Sequence, residues 1–233
     1  MPITVGPDIK MRRFASRAAL DVALAERLAR AAADGADSAI MLSGGTTPGP
    51  AFALLAQRNV QAARGLRVLY SDERHVPSTS DASNFRLSQP LLAALALPSA
   101  QVLRVRTELP LTAAAQDYEE RLQGLIDAAI TVRLGLLGLG ADGHTASLFK
   151  SADLEAARKH LAIAVQRPDG RTAVSVTPDF LATVDEIVFV VAGADKIPAL
   201  ARLAARDPTL TAWRAVECCR AVHVWADSEA LQQ

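Results

Sequence analysis

Three times along this chain a run of apolar residues stops at a glycine turn and passes straight into helical sequence. Ser38-Ala39-Ile40-Met41-Leu42 meets Ser43-Gly44-Gly45-Thr46-Thr47-Pro48, Val132-Arg133-Leu134-Gly135-Leu136-Leu137 meets Gly138-Leu139-Gly140-Ala141-Asp142-Gly143-His144, and the run 186–191 is followed by Gly193-Ala194-Asp195-Lys196. Runs so short and so little alternated suit strands covered on both faces, the condition of a parallel sheet between two helical layers. Turns that follow parallel strands gather at one edge, where open α/β sheets bind small molecules. The expected fold is α/β: a single doubly wound, mostly parallel, Rossmann-like sheet with helices on both faces, spanning residues 1–233 as one domain.

The intervening segments extend this pattern. Residues 17–34 read as a helix with Val22, Ala25, Leu28, Ala29 and Ala32 on its apolar side and Gly35 as its terminator. Further helices are expected after Pro48 through Leu55, around 85–95, over 111–130, from Thr145, over 153–159, and after Lys196 through Ala205. Segments 66–70, 101–106 and 221–225 read as strands. Segments 160–165 and 172–176, separated by Pro168-Asp169-Gly170, read as a small inserted β-hairpin.

Charge narrows the partners. Lys+Arg and Asp+Glu balance at 25 each, so no global basic field would draw nucleic acid or an anionic membrane surface. The two cysteines, Cys218 and Cys219, are adjacent and cannot staple distant segments, and the four histidines, at 75, 144, 160 and 223, show no ligand spacing. A disulfide framework and a metal centre are both disfavoured. No segment approaches the apolar length of a membrane span, and Lys10, Arg12 and Arg13 are followed by no apolar stretch that would make a leader. A cytoplasmic monomer acting on a small molecule is expected.

The turns carry the candidate chemistry. The longest sets Asp142 and His144 two residues apart, where Gly140 and Gly143 let the backbone bend sharply and present N–H groups to an oxyanion. A histidine so placed serves either as a general base or merely as a cap for the following helix. In the first turn Gly44 and Gly45 aim N–H groups into one concavity, with the hydroxyls of Ser43, Thr46 and Thr47 beside them. That pattern fits an anion site or a capped helix start with no ligand. After strand 66–70 comes Ser71-Asp72-Glu73-Arg74-His75, either a solvated loop or a carboxylate for substrate hydroxyls with an arginine for phosphate oxygens. His75 reads as structural.

Taken together, Ser43-Gly44-Gly45-Thr46-x-Pro48, Asp72-Glu73-Arg74-x-Val76 with Ser83-Asn84, Gly138-x-Gly140-x-Asp142-Gly143-His144-Thr145-Ala146-Ser147-Leu148-Phe149, and Gly193-x-x-Lys196 resemble the 6-phosphogluconolactonase family, within the wider group that includes the glucosamine-6-phosphate deaminases. The resemblance covers nearly the whole chain. It implies hydrolysis of 6-phospho-D-glucono-1,5-lactone to 6-phosphogluconate, the second step of the oxidative pentose phosphate pathway, with no cofactor. His144 is then the base that activates water, and Asp142 orients it or binds a sugar hydroxyl. Ser43, Gly44, Gly45, Arg74 and Lys196 are implied as phosphate ligands, with Thr46, Asp72 and Asn84 in the same substrate-binding set. Two departures stand out. Lys150 occupies the place where the family has proline after Leu-Phe, and Arg171, carried over as the family's strand-head arginine, lies one or two places early.

Two rivals share the resemblance. Glucosamine-6-phosphate deaminases place a glutamate five residues after the motif histidine and an aromatic residue after their Asp-Glu pair, where this chain has Phe149 and Arg74. A non-catalytic sugar-phosphate sensor on the same fold is the other, since fold does not fix function.

Overall fold

Strand and helix alternate through the chain, and each glycine turn sits at the carboxyl end of a strand. The computed structural model describes residues 6–34 and 37–231. Gly35, the expected helix terminator, lies outside them. In chain order the elements are β1 (Ile9–Arg13), α1 (Arg17–Ala33), β2 (Ser38–Leu42), α2 (Gly49–Ala56), β3 (Arg67–Tyr70), β4 (Asp72–Arg74), α3 (Asn84–Ala94), β5 (Val102–Leu103) and α4 (Leu111–Asp127). They continue with β6 (Thr131–Gly138), α5 (Ser151–Ala156), β7 (Ala162–Gln166), β8 (Thr172–Val176), α6 (Pro178–Leu181), β9 (Ile187–Val191), α7 (Ile197–Ala204), α8 (Thr211–Val216) and β10 (Val222–Ala226).

Seven strands form one parallel sheet in the order β1-β10-β9-β6-β2-β3-β5. From β2 the chain builds outward through β3 and β5, then crosses back to β6 and builds the other way through β9 and β10. The direction of winding reverses between β2 and β6, so the carboxyl ends of these two strands flank the crevice of a topological switch point. Side chains alternate between two cores. Ile40, Leu42, Val68, Leu134, Leu136 and Val188 pack with α1, α2 and α3, while Met41, Leu69, Leu137, Phe189 and Val224 pack with α4, α7 and α8. The doubly wound sheet covered on both faces is thus the fold, as its unalternated strands required.

Details differ from the sequence reading. The buried stripe of α1 is Leu20, Leu24, Ala25, Leu28, Ala31 and Ala32, and Val22 faces solvent at 40 % exposure. The strand expected over 101–106 shrinks to two residues, because Arg104 and Arg106 turn away to meet Glu108 and Asp117. The helix expected over 111–130 ends at Asp127, and the one over 153–159 begins earlier, at Ser151, and stops at Ala156. The hairpin forms as β7 and β8, but it is two-thirds of a second sheet: β4 adds antiparallel to β8, giving the order β4-β8-β7. Residues 72–74 are therefore strand, not loop. Strand β1 and helix α8 add elements with no apolar period to announce them.

Candidate active site

A cavity of about 190 Å³ opens at the carboxyl edge of the sheet, at the β2–β6 switch point. The turn after β2 forms one wall and the turn after β6 the other. Asp72 and Arg74 enter from β4, Lys196 from the turn after β9, and Arg167 from the end of β7.

The 43–48 turn is held open from behind. Gly45 has φ 90°, which glycine adopts without steric penalty, and a Cβ there would meet nothing within 4 Å. Gly44 is glycine for the opposite reason, since a Cβ would fall 1.7 Å from Asn84 Oδ1. Among the described residues neither Gly44 nor Gly45 N–H has a partner, so both are available to an anion. Arg17, at the start of α1, donates to Thr47 O at 2.6 Å and Thr46 O at 3.3 Å, fixing the outer side of the turn.

Strand β4 carries the acid–acid–arginine triplet in three directions. Asp72 is buried beside the cavity, accepting from Ser147 Oγ at 2.7 Å, Asn84 Nδ2 at 3.2 Å and Ser71 Oγ at 3.2 Å. Glu73 points away and caps α3, accepting from Asn84 N, Phe85 N and Ser83 Oγ. Burial pushes its carboxyl up from the ordinary value, and those hydrogen bonds offset only part of the rise. Arg74 Nη1 donates to Ala82 O at 3.0 Å while the side chain lines the cavity. His75 bonds the Leu109 carbonyl through Nε2, a structural contact.

In the turn after β6, His144 Nδ1 lies 2.5 Å from Asp142 Oδ1. An ionised carboxylate only accepts, so Nδ1 carries the proton and the lone pair sits on Nε2. Partial burial pushes the Asp142 carboxyl up, and the hydrogen bond and charge of His144 draw it down further, leaving it below its ordinary value. Gly140 cannot carry a side chain, because a Cβ would lie 2.1 Å from His144 Nδ1 and 2.4 Å from Asp142 Oδ1. Its N–H donates to His144 O, and the N–H of Gly143 donates to Gly140 O, both at 2.9 Å. Neither glycine is free to receive an oxyanion, which corrects that expectation: both N–H groups close the turn.

No helix starts at Thr145. Thr145 Oγ1 donates to Gly138 O, Ala146 takes the left-handed φ of 50°, and Ser147 N donates to Ser175 Oγ. Neighbouring elements claim the backbone and side chains that a first helical turn would need. The chain enters α5 only at Ser151, with Phe149 N and Lys150 N both donating to Asp153 Oδ2. A proline at 150 would lack that donor.

Of the residues singled out in the sequence, Ser43, Gly44, Gly45, Thr46, Asp72, Arg74, Gly140, His144 and Lys196 line the cavity. Asn84 lies beneath it, donating to Asp72 O at 2.8 Å, and Asp142 and Gly143 support it from outside. Arg171 does not reach it, for its guanidinium is turned onto Asp169 in the hairpin turn. Two participants, Arg167 and α8, had no motif to mark them, and a third, Ser147, stood in a motif without a role of its own. Arg167 lines the cavity, Ser147 ties Asp72 to the β6 turn, and α8 braces that turn through Thr211 Oγ1 and Ala212 N, both donating to Gly143 O at 3.0 Å.

Comparison with known proteins agrees with this architecture. The family described as glucosamine-6-phosphate isomerases/6-phosphogluconolactonase matches residues 13–225. This chain belongs to that family. Among its lactonase/isomerase relatives, the 6-phosphogluconolactonase of Thermotoga maritima is 35% identical over 173 residues, covering 72% of this chain and 76% of the relative. That of Synechocystis sp. is 32% identical over 196 residues, covering 80% and 79%. The solved Thermotoga maritima structure superposes with a TM-score of 0.77 at 26% identity over 94% of this chain and 99% of that one. A monomeric glucosamine-6-phosphate deaminase superposes equally well, with a TM-score of 0.79 over 96% and 99%, but at 16% identity that likeness concerns the fold alone.

Proposed function

We propose that this protein hydrolyses 6-phospho-D-glucono-1,5-lactone to 6-phospho-D-gluconate with His144 as general base. The lactonase relatives, similar over most of the chain, support the substrate and the reaction. The observation that carries the mechanism is the Asp142–His144 pair at 2.5 Å, with the imidazole lining a cavity that Arg74 and Lys196 also line.

Asp142 holds Nδ1–H, so Nε2 takes a proton from water as the water oxygen adds to the lactone carbonyl carbon. Collapse of the tetrahedral intermediate breaks the bond from that carbon to the ring oxygen, which receives the proton back from Nε2. One water is consumed, no electrons change hands, the imidazole returns to its neutral form, and the carboxylic acid so formed releases its proton to solvent as 6-phospho-D-gluconate. General-base catalysis of this kind contributes about 10²- to 10⁴-fold. The phosphate dianion lies against the N–H groups of Gly44 and Gly45 and the hydroxyls of Ser43 and Thr46, with Arg74 and Lys196 supplying charge. Asp72, engaged with Ser147 and Asn84, keeps the two walls in register.

The deaminase reading is the weaker one. Five residues after His144 stands Phe149, whose ring centroid lies 4.3 Å from that of the imidazole and which offers no proton. The test is the rate of lactone ring opening by purified protein in chelator, against the spontaneous rate and against His144→Ala. The expected result is a large acceleration that falls about 10²- to 10⁴-fold in the variant. A wild-type rate no faster than background would sink the assignment.

A further inference from the structure

The β7–β8 hairpin carries two arginines and uses them differently. Arg171 commits Nε and Nη2 to Asp169 Oδ2, at 3.1 and 2.9 Å, and its side chain is 54% exposed. Arg167 lines the cavity with its side chain only 13% exposed. Its guanidinium lies 5.0 Å from the centroid of the Phe149 ring, which in turn packs on His144. Nη1 donates to Ser147 Oγ at 3.0 Å, and Nε lies 3.4 Å from Asp169 Oδ2.

A guanidinium has five N–H donors. Among the described residues these contacts engage two, leaving one donor on Nη1 and both on Nη2. Its charge is only partly offset, since Ser147 is neutral and the one carboxylate of Asp169 is shared with Arg171, which leaves these side chains net positive. The aromatic face of Phe149 fixes the plane of the fork before any ligand arrives, so little side-chain entropy remains to be lost on binding.

We infer that Arg167 is a substrate-binding residue that grips the anionic group of the ligand together with Arg74 and Lys196. The inference rests on the sugar-phosphate reading of the cavity. It assigns to β7 the binding arginine that the sequence pattern had put at the head of β8.

Calorimetric titration of 6-phosphogluconate and of inorganic phosphate, beside steady-state lactone kinetics, tests it on Arg167→Gln, Arg167→Lys and Arg171→Gln. Loss of a charge-assisted fork should weaken both ligands about 10- to 100-fold in Arg167→Gln and raise KM in step, with kcat held within about threefold. Arg167→Lys should recover part of the affinity, and it decides the question if the glutamine variant does not fold. Arg171→Gln should stay within about twofold throughout, as an exposed pair would. Unchanged affinities in Arg167→Gln would overturn the inference. So would a lowered kcat at unchanged affinity, which would make Arg167 only a prop for Phe149 and His144. If wild-type protein binds these ligands but opens no lactone, the proposed reaction fails while the titrations still decide the role of Arg167.

Discussion

Asp142 is pulled two ways. Burial is the largest single effect on its carboxyl and raises it, although the side chain is 56% exposed; the His144 hydrogen bond and charge, with backbone hydrogen bonds, together bring it below the ordinary 3.8. A carboxyl lowered in the folded state contributes stability that is present above its unfolded value and lost as pH falls through the lowered one. Asp142→Asn has no such group. The difference in urea midpoint between wild type and Asp142→Asn should therefore hold from neutral pH down to about pH 4 and vanish below it. In catalysis the same variant should lower kcat about 10- to 100-fold, less than the ~10⁴ seen for a buried triad aspartate, because solvent screens a half-exposed partner. A pH-independent midpoint difference, or an unchanged kcat, would mean that Asp142 neither pairs with nor orients the base.

At the scale of elements, the site depends on how α1 and the turn after β2 are joined. A peptide unit is planar and trans, so its C=O and N–H point opposite ways. By pinning Thr46 O toward α1, Arg17 turns the Thr47 N–H the other way, toward the cavity that Thr47 lines. Arg17→Met keeps the stem but removes the fork, and should raise KM about three- to tenfold with kcat unchanged, as measured by steady-state kinetics. An unchanged KM would show that the turn holds its shape alone. This clamp could not be read from the chain, whereas the turn could: Gly44 and Gly45 are punctuation that any α/β reading picks up, but nothing in Arg17 says that it will reach residues 46 and 47. The same limit explains the other misses. In β1 four of five residues are exposed, so it lacks the apolar run that marks the inner strands. Helix α8 is six residues long, too short for a helical period to declare itself, and it is fixed instead by Gly143 O. Arg171 against Arg167 turns on which strand end meets the cavity, a matter of how the small sheet docks. Local spacing carried the motifs. Pairings made across the fold carried the rest.

Across the whole molecule, the chemistry sits at one end of the sheet, while the core that supports it runs on to the other. The cavity occupies the carboxyl edge, whereas α1 runs back along the sheet until Arg27 meets Glu186 and Asp34 meets Arg133 at the strand starts. Leu28, 1% exposed, sits in that distal half of α1 within the core that also holds Leu20 and Leu24. Leu28→Ala should cost about 2–5 kcal/mol through lost burial and the cavity left behind. For a chain of this size that is a fall in Tm of roughly 4–20 °C, at about 2–4 °C per kcal/mol. Ligand binding adds its own increment through mass action, about 2.7 kcal/mol at a hundredfold excess over Kd. Because Leu28 touches no wall of the cavity, 6-phosphogluconate should raise the Tm of Leu28→Ala by as much as it raises that of wild type, in paired thermal melts. A shift that disappears in the variant while its native spectrum persists would show that the distal core and the carboxyl edge are one cooperative unit, and that the separation drawn from the topology is wrong.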